Sequence, residues 1–336
     1  MRDTLAFMTP RPSEDDLIAR FFAPIAGEGG LDLVDDAALL TPKPGHDLVM
    51  TADAVVVGVH FFPDDPPASI AAKALAVNVS DLSAKGALPV GFLLTLALPE
   101  DWTEGWLRDF TDGLAAAARA NACPLLGGDT VRANGALSIG ITALGETPTG
   151  RMVRRAAARP GDRLCVTGTI GDAALGLALR RDPQAPWAGA VSVEDRAFLR
   201  DRYLHPRPRL AAAMAVREHA RAAMDVSDGL AGDLAKMMRA AGLSAAVDLP
   251  LVPVSAAARA ALAAEPILEE RVLTGGDDYE ILCAVPDGSL APFLAACAEA
   301  GVPATPIGTV VEGTGRPVFR DGPVERRFER GSFSHF

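Results

Sequence analysis

Residues 222–242, AAMDVSDGLAGDLAKMMRAAG, read as a strand, a turn and a helix in immediate succession. Ala222–Met224 lead in as an apolar run, and Leu230, Leu234 and Met237 or Met238 recur at the spacing of one helix face. Between them Asp225 and Asp228 flank Ser227, so two carboxylates stand at a strand-to-helix turn. Asp228 alone could be a helix N-cap. Two acids at one turn need a further reason in a chain whose formal net charge is already −11.

Working outward, the same alternation recurs. HDLVMTADAVVVGVHF (46–61) is rich in β-branched residues, and PASIAAKALAVNVSDLSAKGA (67–87) has helical periodicity. VGFLLTLALP (90–99) reads as a buried strand. A helix is predicted near 103–121, followed by CPLLGGDTV (123–131) and the strand ALSIGITALGE (136–146). TPTGRMVRRAAARPGD (147–162) is rich in Gly, Pro and Arg, as a domain junction would be. A second βα series starts at RLCVTGTIGDAALGLALRR (163–181). It ends with DYEILCAVP (278–286), a helix near 289–300 and PIGTVVEG (306–313). With 336 residues exceeding one ordinary core, the reading is two α/β domains, residues 1–150 and 151–336.

Composition narrows the function. Hydrophobic residues at 49% and charged residues at 22% describe an ordinary globular protein. The apolar run 86–99 contains two prolines and is too short to span a bilayer, and MRDTLAFMTPRPSEDD shows no signal-peptide pattern. The acidic balance argues against a nucleic-acid surface. Cys123, Cys165, Cys283 and Cys297 are widely spaced, which suggests buried thiols in a reducing cytoplasm. None of the four lysines, Lys43, Lys73, Lys85 and Lys236, follows a phosphate-loop spacing, so a Walker loop is excluded.

Acids fall repeatedly where strands or turns end: VDDAALL (34–40), TADAVV (51–56), NVSDL (78–82), GGDTV (127–131), DVSDGL and GGDDYE (275–280). Capping explains any one of them. Six of similar design are more than capping requires, and converging carboxylates repel unless cations neutralise them. Mg2+ prefers oxygen ligands and commonly bridges carboxylates to substrate phosphates, so magnesium and nucleotide phosphate are the predicted ligands. Asn78 and Asp81 share one helix face. His60 ends the TADAVVVGVHF segment beside one of the acids.

In this order VDDAALL, TADAVVVGVHF, KALAVNVSDLSAKGA, LLGGDTV, MDVSDGL, TGGDDYEIL and the terminal FSHF resemble the thiamine-monophosphate kinases. These belong to the aminoimidazole ribonucleotide synthetase superfamily, and the resemblance runs from about residue 14 to the end. It implies an α/β (α+β) fold of two domains, with dimers formed through the N-terminal sheets. It also implies transfer of the ATP γ-phosphate to thiamine monophosphate, giving thiamine diphosphate. Carried over by position, Asp36, Thr51, Asp53, Asp81, Asp129, Asp225 and Asp228 would hold magnesium. Gly128, Asp129, Arg155 and Ser227 would contact ATP, while His60, Asp277 and Phe333 would line the thiamine site, with no side chain serving as general base.

The chain departs from that pattern at four places. Val34 precedes the first acid pair where the family usually has glycines, Ala52 replaces a hydroxyl residue, Asp277 replaces a longer glutamate, and only Phe110 offers an aromatic for adenine. Two alternatives remain open at this point: another ATP-dependent enzyme of the superfamily, or a non-catalytic nucleotide-binding relative. The first cysteine at Cys123 and the terminal SFSHF speak against the selenophosphate synthetases and the hydrogenase maturation enzymes of this fold.

Overall fold

The computed structural model describes residues 12–328 together with 331 and 332, so Phe333 and the rest of FSHF lie outside the described residues. The described chain opens with α1 (Glu14–Leu17), whose first turn is closed reciprocally by Ser13 and Asp16, and continues in short helical turns to Leu33. A four-stranded sheet then forms from β1 (His46–Val56), β2 (Leu88–Leu98), β3 (Leu125–Arg132) and β4 (Ser138–Pro148), in the order β1-β4-β2-β3. α2 (Pro67–Ala84) links β1 to β2, and α3 (Glu104–Ala120) makes the crossover that sets β2 and β3 parallel.

Strand alternation decides what the sheet buries. Phe92, Leu94, Leu96 and Leu98 of β2, Ile139 and Ile141 of β4 and Val49 and Val55 of β1 all turn inward. They pack with Leu75, Val79 and Leu82 of α2 and Leu107, Phe110 and Leu114 of α3 in one core. Burying each such side chain contributes about 1.5–3 kcal/mol. Gly113 lets the two helices touch, because a Cβ there would come within 2.4 Å of Ala68 Cα. The opposite face of the sheet keeps Met50 (68% exposed), Leu93 and Val131 in contact with solvent.

The second sheet has seven strands in the order β11-β10-β7-β9-β5-β8-β6. They are β5 (Arg163–Thr167), β6 (Ala222–Val226), β7 (Ser244–Asp248), β8 (Glu280–Val285), β9 (Ala304–Val311), β10 (Val318–Asp321) and β11 (Val324–Arg326). Its helices are α4 (Asp172–Arg181), α5 (Val193–Leu204), α6 (Ala213–His219), α7 (Leu230–Ala241), α8 (Ala256–Ala264), α9 (Leu268–Thr274) and α10 (Leu290–Glu299). Most neighbouring strands are antiparallel, so the α+β form of the expected class is the one realised. β8 is buried along its whole length because cores form on both faces of this sheet. The four cysteines are free and buried, Cys123 in the core of the first sheet and Cys165, Cys283 and Cys297 against the second, and burial pushes the Cys165 thiol up to about 12. No helix among the described residues is long and apolar enough to cross a membrane.

The two sheets share side chains. Ala84 at the end of α2 joins the core beneath Cys165, Ile281 and Cys283, whereas Tyr279 inserts into the core of the first sheet. A cleft beside these contacts holds many of the residues singled out in the sequence.

Candidate active site

A cavity of about 960 Å3 opens between β1 and α2 on one side and the β6–α7 turn with the loop 274–279 on the other. β6 ends at Val226 and α7 begins at Leu230, so DVSDGL is the strand-to-helix turn that its pattern predicts. The N-cap of α7 is Gly229, which forms no side-chain cap, and Asp228 is therefore not a cap. Gly229 has φ 114°, and a Cβ there would meet the Thr274 backbone at 2.6 Å; the turn requires glycine.

Six acids line this cavity: Asp53 from β1, Asp81 from α2, Asp225 and Asp228 from the turn, Asp233 from α7 and Asp277 from the loop. Side chains of α2 hold Asp53 and Asp225, and α2 itself carries Asp81. Thr51 Oγ1 donates to Asp81 Oδ2 at 2.5 Å, Asn78 Oδ1 accepts from the Asp53 backbone N–H at 3.0 Å, and Ser80 Oγ donates to Asp225 Oδ2 at 2.8 Å. Burial, followed by the charge of Asp81, pushes the Asp225 carboxyl well above its ordinary value. Burial raises Asp53 as well, with Asp81 and Asp228 adding repulsion. Among the described residues no three His, Cys, Asp or Glu side chains already stand as a closed metal cage. The acids are spread around the cavity wall, as expected for charges that repel without a cation between them.

Two lysines that sequence reasoning passed over stand among these acids. Lys236 on α7 pairs with Asp228 and donates to the buried Asp233 at 2.8 Å, while Asp233 accepts the Asp228 N–H at 2.9 Å. Lys85, just past the end of α2, donates to Ala223 O at 2.8 Å, and burial lowers its pKa. A lysine on a helix normally reads as solvated, and only a carboxylate three residues before Lys236 could have flagged it. The exposed Arg155 and the half-buried Ser227 also line the cavity.

His60 follows β1 in the loop to α2; its Nδ1 accepts the Val56 N–H at 3.0 Å, and its carbonyl accepts the Tyr203 hydroxyl at 3.3 Å. Asp277 lies across the cavity, with its carboxylate 2.9 Å from the ammonium of Lys73. Ser332, the residue before Phe333, lines the same space, and Gly331 and Ser332 run so close to Gly232 that a Cβ there would clash. Phe110 is fully buried against Trp106, with ring centroids 5.1 Å apart, and is not available to adenine.

Asp36, Gly128 and Asp129 are elsewhere. They line a second cavity of about 550 Å3 on β3. β1 and β3 are the opposite edges of their sheet, so Asp53 and Asp129 lie about three strand spacings, roughly 14 Å, apart. Gly128 is held at φ 152° with a Cβ position only 1.8 Å from Leu94 O, which fixes glycine before the acid. Ahead of Asp36, Leu31, Asp32 and Leu33 all have left-handed φ of 51–56°, strained for non-glycine residues. Val34, which follows them, has an ordinary φ of −103°.

Known proteins are similar to this chain in both sequence and fold. Residues 34–147 match the AIR synthase related protein N-terminal domain, and residues 159–319 match its C-terminal domain. The chain is 43% identical, over 95% of its length and 90% of the relative's, to thiamine-monophosphate kinase of Caulobacter vibrioides. This chain belongs to the thiamine-monophosphate kinase family. The crystal structure of thiamine-monophosphate kinase from Stenotrophomonas maltophilia K279a is similar at TM-score 0.77 and 39% identity, covering 84% of this chain and 88% of that one. A structure of AaThiL complexed with AMPPCP and TMP matches at TM-score 0.77 and 30% identity, covering 90% and 91%. The two-sheet fold is thus that of the AIR synthase related proteins.

Proposed function

We propose that this chain transfers the γ-phosphate of ATP directly to thiamine monophosphate, giving thiamine diphosphate, with Mg2+ as cofactor and as a cytoplasmic homodimer. Family membership carries the reaction, and the observation that ties it to this chain is the single cavity in which Asp53, Asp81, Asp225, Asp228, His60 and Asp277 meet. The donor set suits magnesium: its members are oxygen ligands, and Asp53 and Asp225 are held above the ordinary carboxylate range by burial and by each other's neighbours. Asp53, Asp81, Asp225 and Asp228, with Thr51 beside Asp81, would hold the ions. Bound there, magnesium supplies the positive charge that lets carboxylates and polyphosphate share one space.

The chain's own residues do the rest. Arg155 at the rim, Ser227 and the turn backbone bind and orient the nucleotide phosphates, while Lys85 contributes fixed positive charge from the wall. His60, Asp277 and Phe333 bind the thiamine portion. The acceptor is a phosphate monoester whose second pKa lies near 6, so its oxygen is already anionic at neutral pH and no side chain need remove a proton. Alignment and charge neutralisation are the remaining tasks, which fits a cavity rich in carboxylates and poor in candidate bases.

Asp36, Gly128 and Asp129 enter through the partner. Residues 1–150 act as the metal-binding, nucleotide-binding and dimerisation domain, and residues 151–336 as the C-terminal α/β domain. The open face of the first sheet exposes Met50, Leu93 and Val131, an apolar surface suited to a second copy. Two such sheets, packed face to face about a two-fold axis along the strands, set the β1 edge of one protomer beside the β3 edge of the other. Asp129 and Asp36 of one chain then complete the cavity of its partner. Mg-ATP supplied with thiamine monophosphate, thiamine or formylglycinamidine ribonucleotide tests the reaction: ADP should form with thiamine monophosphate. ADP formation with another of the three instead would overturn the assignment.

A further inference from the structure

Lys73 lies on α2, five residues before Asn78, and is 3% exposed. A buried ammonium persists only where it is paired. Its Nζ donates to Asp277 Oδ2 at 2.9 Å and to Tyr203 O at 3.2 Å, and it stands 4.0 Å from the centroid of the Tyr203 ring. Asp277 is its one carboxylate partner among the described residues. Helix and loop are 204 residues apart in sequence, and this contact joins the first sheet's helix to the second sheet's loop.

Asp277 needs such a hold. It has φ 73° and Tyr279 has φ 51°, backbone conformations that L-residues rarely adopt. The N–H groups of Asp277 and Tyr279 donate to Ser227 O and Val226 O, each at 2.8 Å, which fastens the loop to the DVSDGL turn. The carboxylate is then fixed from two sides, by Lys73 at Oδ2 and by the Tyr279 hydroxyl 3.4 Å from Oδ1. Tyr203, which packs on Lys73, also donates its hydroxyl to the carbonyl of His60. One Lys73–Tyr203 unit therefore touches both walls of the thiamine portion of the cavity.

We propose that Lys73 is a positioning residue for thiamine monophosphate: its ammonium orients the short Asp277 carboxylate so that Asp277 can accept from hydrogen-bond donors of the substrate. This rests on the reading of Asp277 as a substrate contact. An aspartate reaches less far than a glutamate, so its direction matters more. Lys73 itself has no role in the ATP half of the site, where Lys85, Arg155 and Lys236 stand.

The test compares wild type, Lys73→Met, Lys73→Arg, Asp277→Asn and the Lys73→Met/Asp277→Asn double variant. KM for thiamine monophosphate and for ATP, and the melting temperature, are measured for each. Lys73→Met should raise KM for thiamine monophosphate about tenfold, the scale of one charge-assisted hydrogen bond, and leave KM for ATP within about twofold. Lys73→Arg should recover most of the loss, and the double variant should be no worse than Asp277→Asn because both lesions act through one carboxylate. An unchanged KM in Lys73→Met beside a raised KM in Asp277→Asn overturns the positioning role. So do additive losses, or an equal rise in both KM values with early melting that arginine does not repair. An Asp277→Asn variant with unchanged KM removes the substrate reading of Asp277 itself, and the positioning role with it.

Discussion

The two edges of the first sheet carry acids in opposite settings. At the β1 edge Asp53 shares the larger cavity, about 960 Å3, with Asp81, Asp225 and Asp228, and the lysines Lys85 and Lys236 are built into its wall. At the β3 edge Asp129, exposed as Asp53 is, shares a smaller recess with Asp36, beyond a backbone strained at three successive residues. The first edge concentrates negative charge that the chain only partly balances. The second offers acids with nothing of the same chain opposite them in the 960 Å3 cavity. Such a division suits a chain whose site is completed by a second copy and by cations that both edges share.

The largest effect comes from removing one acid at either edge. Asp53→Asn or Asp129→Asn should lower turnover by about 10²–10³-fold, the usual loss when a transition-state charge contact is removed. The metal-free protein should keep or slightly raise its melting temperature, because a repelling charge has gone. ADP release and thermal denaturation measure the two quantities. A marked destabilisation of the metal-free form at either edge would make that acid structural and break the parallel between the edges.

A smaller effect separates the thiamine wall from both edges. Phe333→Ala should raise KM for thiamine monophosphate about three- to thirtyfold, the scale of stacking and cation–π attraction to a thiazolium. His60→Asn should act in the same direction, with KM for ATP little changed in both variants. Equal movement of both constants would place these residues in packing.

The smallest effect is on stability against pH. Asp53 and Asp225 have raised pKa values in the folded chain, so folding favours their protonated forms. The stability this contributes is full below the ordinary aspartate value of 3.8 and is lost as pH rises through the raised values. These two groups should therefore lower the melting temperature of the metal-free protein as pH rises from about 4 through their raised values, and Asp225→Asn should reduce that loss. A lower melting temperature for Asp225→Asn at about pH 8 would contradict the crowding described for the β1 edge.

The sequence disclosed the local units and concealed the long-range ones. The β6–α7 turn was legible because an apolar run, two acids and a helical stripe follow one another within 21 residues. β1, α2, β2, α3 and β4 fell within a few residues of their predicted bounds because their apolar periods are unbroken. The segment 182–221 with α5 and α6 gave no reading, since its apolar residues are interrupted by arginines, two of which, Arg202 and Arg209, prove to pair with the buried Glu280. The order β1-β4-β2-β3 was equally hidden, and with it the separation of Asp53 from Asp129. Lys73 illustrates the limit best: on its helix it resembles a solvated lysine, and its partner lies 204 residues away.

Mixing two inactive variants tests the completion of one chain's site by another most directly. Asp53→Asn and Asp129→Asn protomers are each expected to be inactive alone, and are unfolded together and refolded as an equal mixture. In a mixed dimer one site then carries both lesions and the other carries neither. With half the dimers mixed and one of two sites intact in each, activity should return to about a quarter of the wild-type value. A mixture that forms mixed dimers yet stays as inactive as its parents would show that Asp53 and Asp129 serve the same chain's site, and would contradict the account.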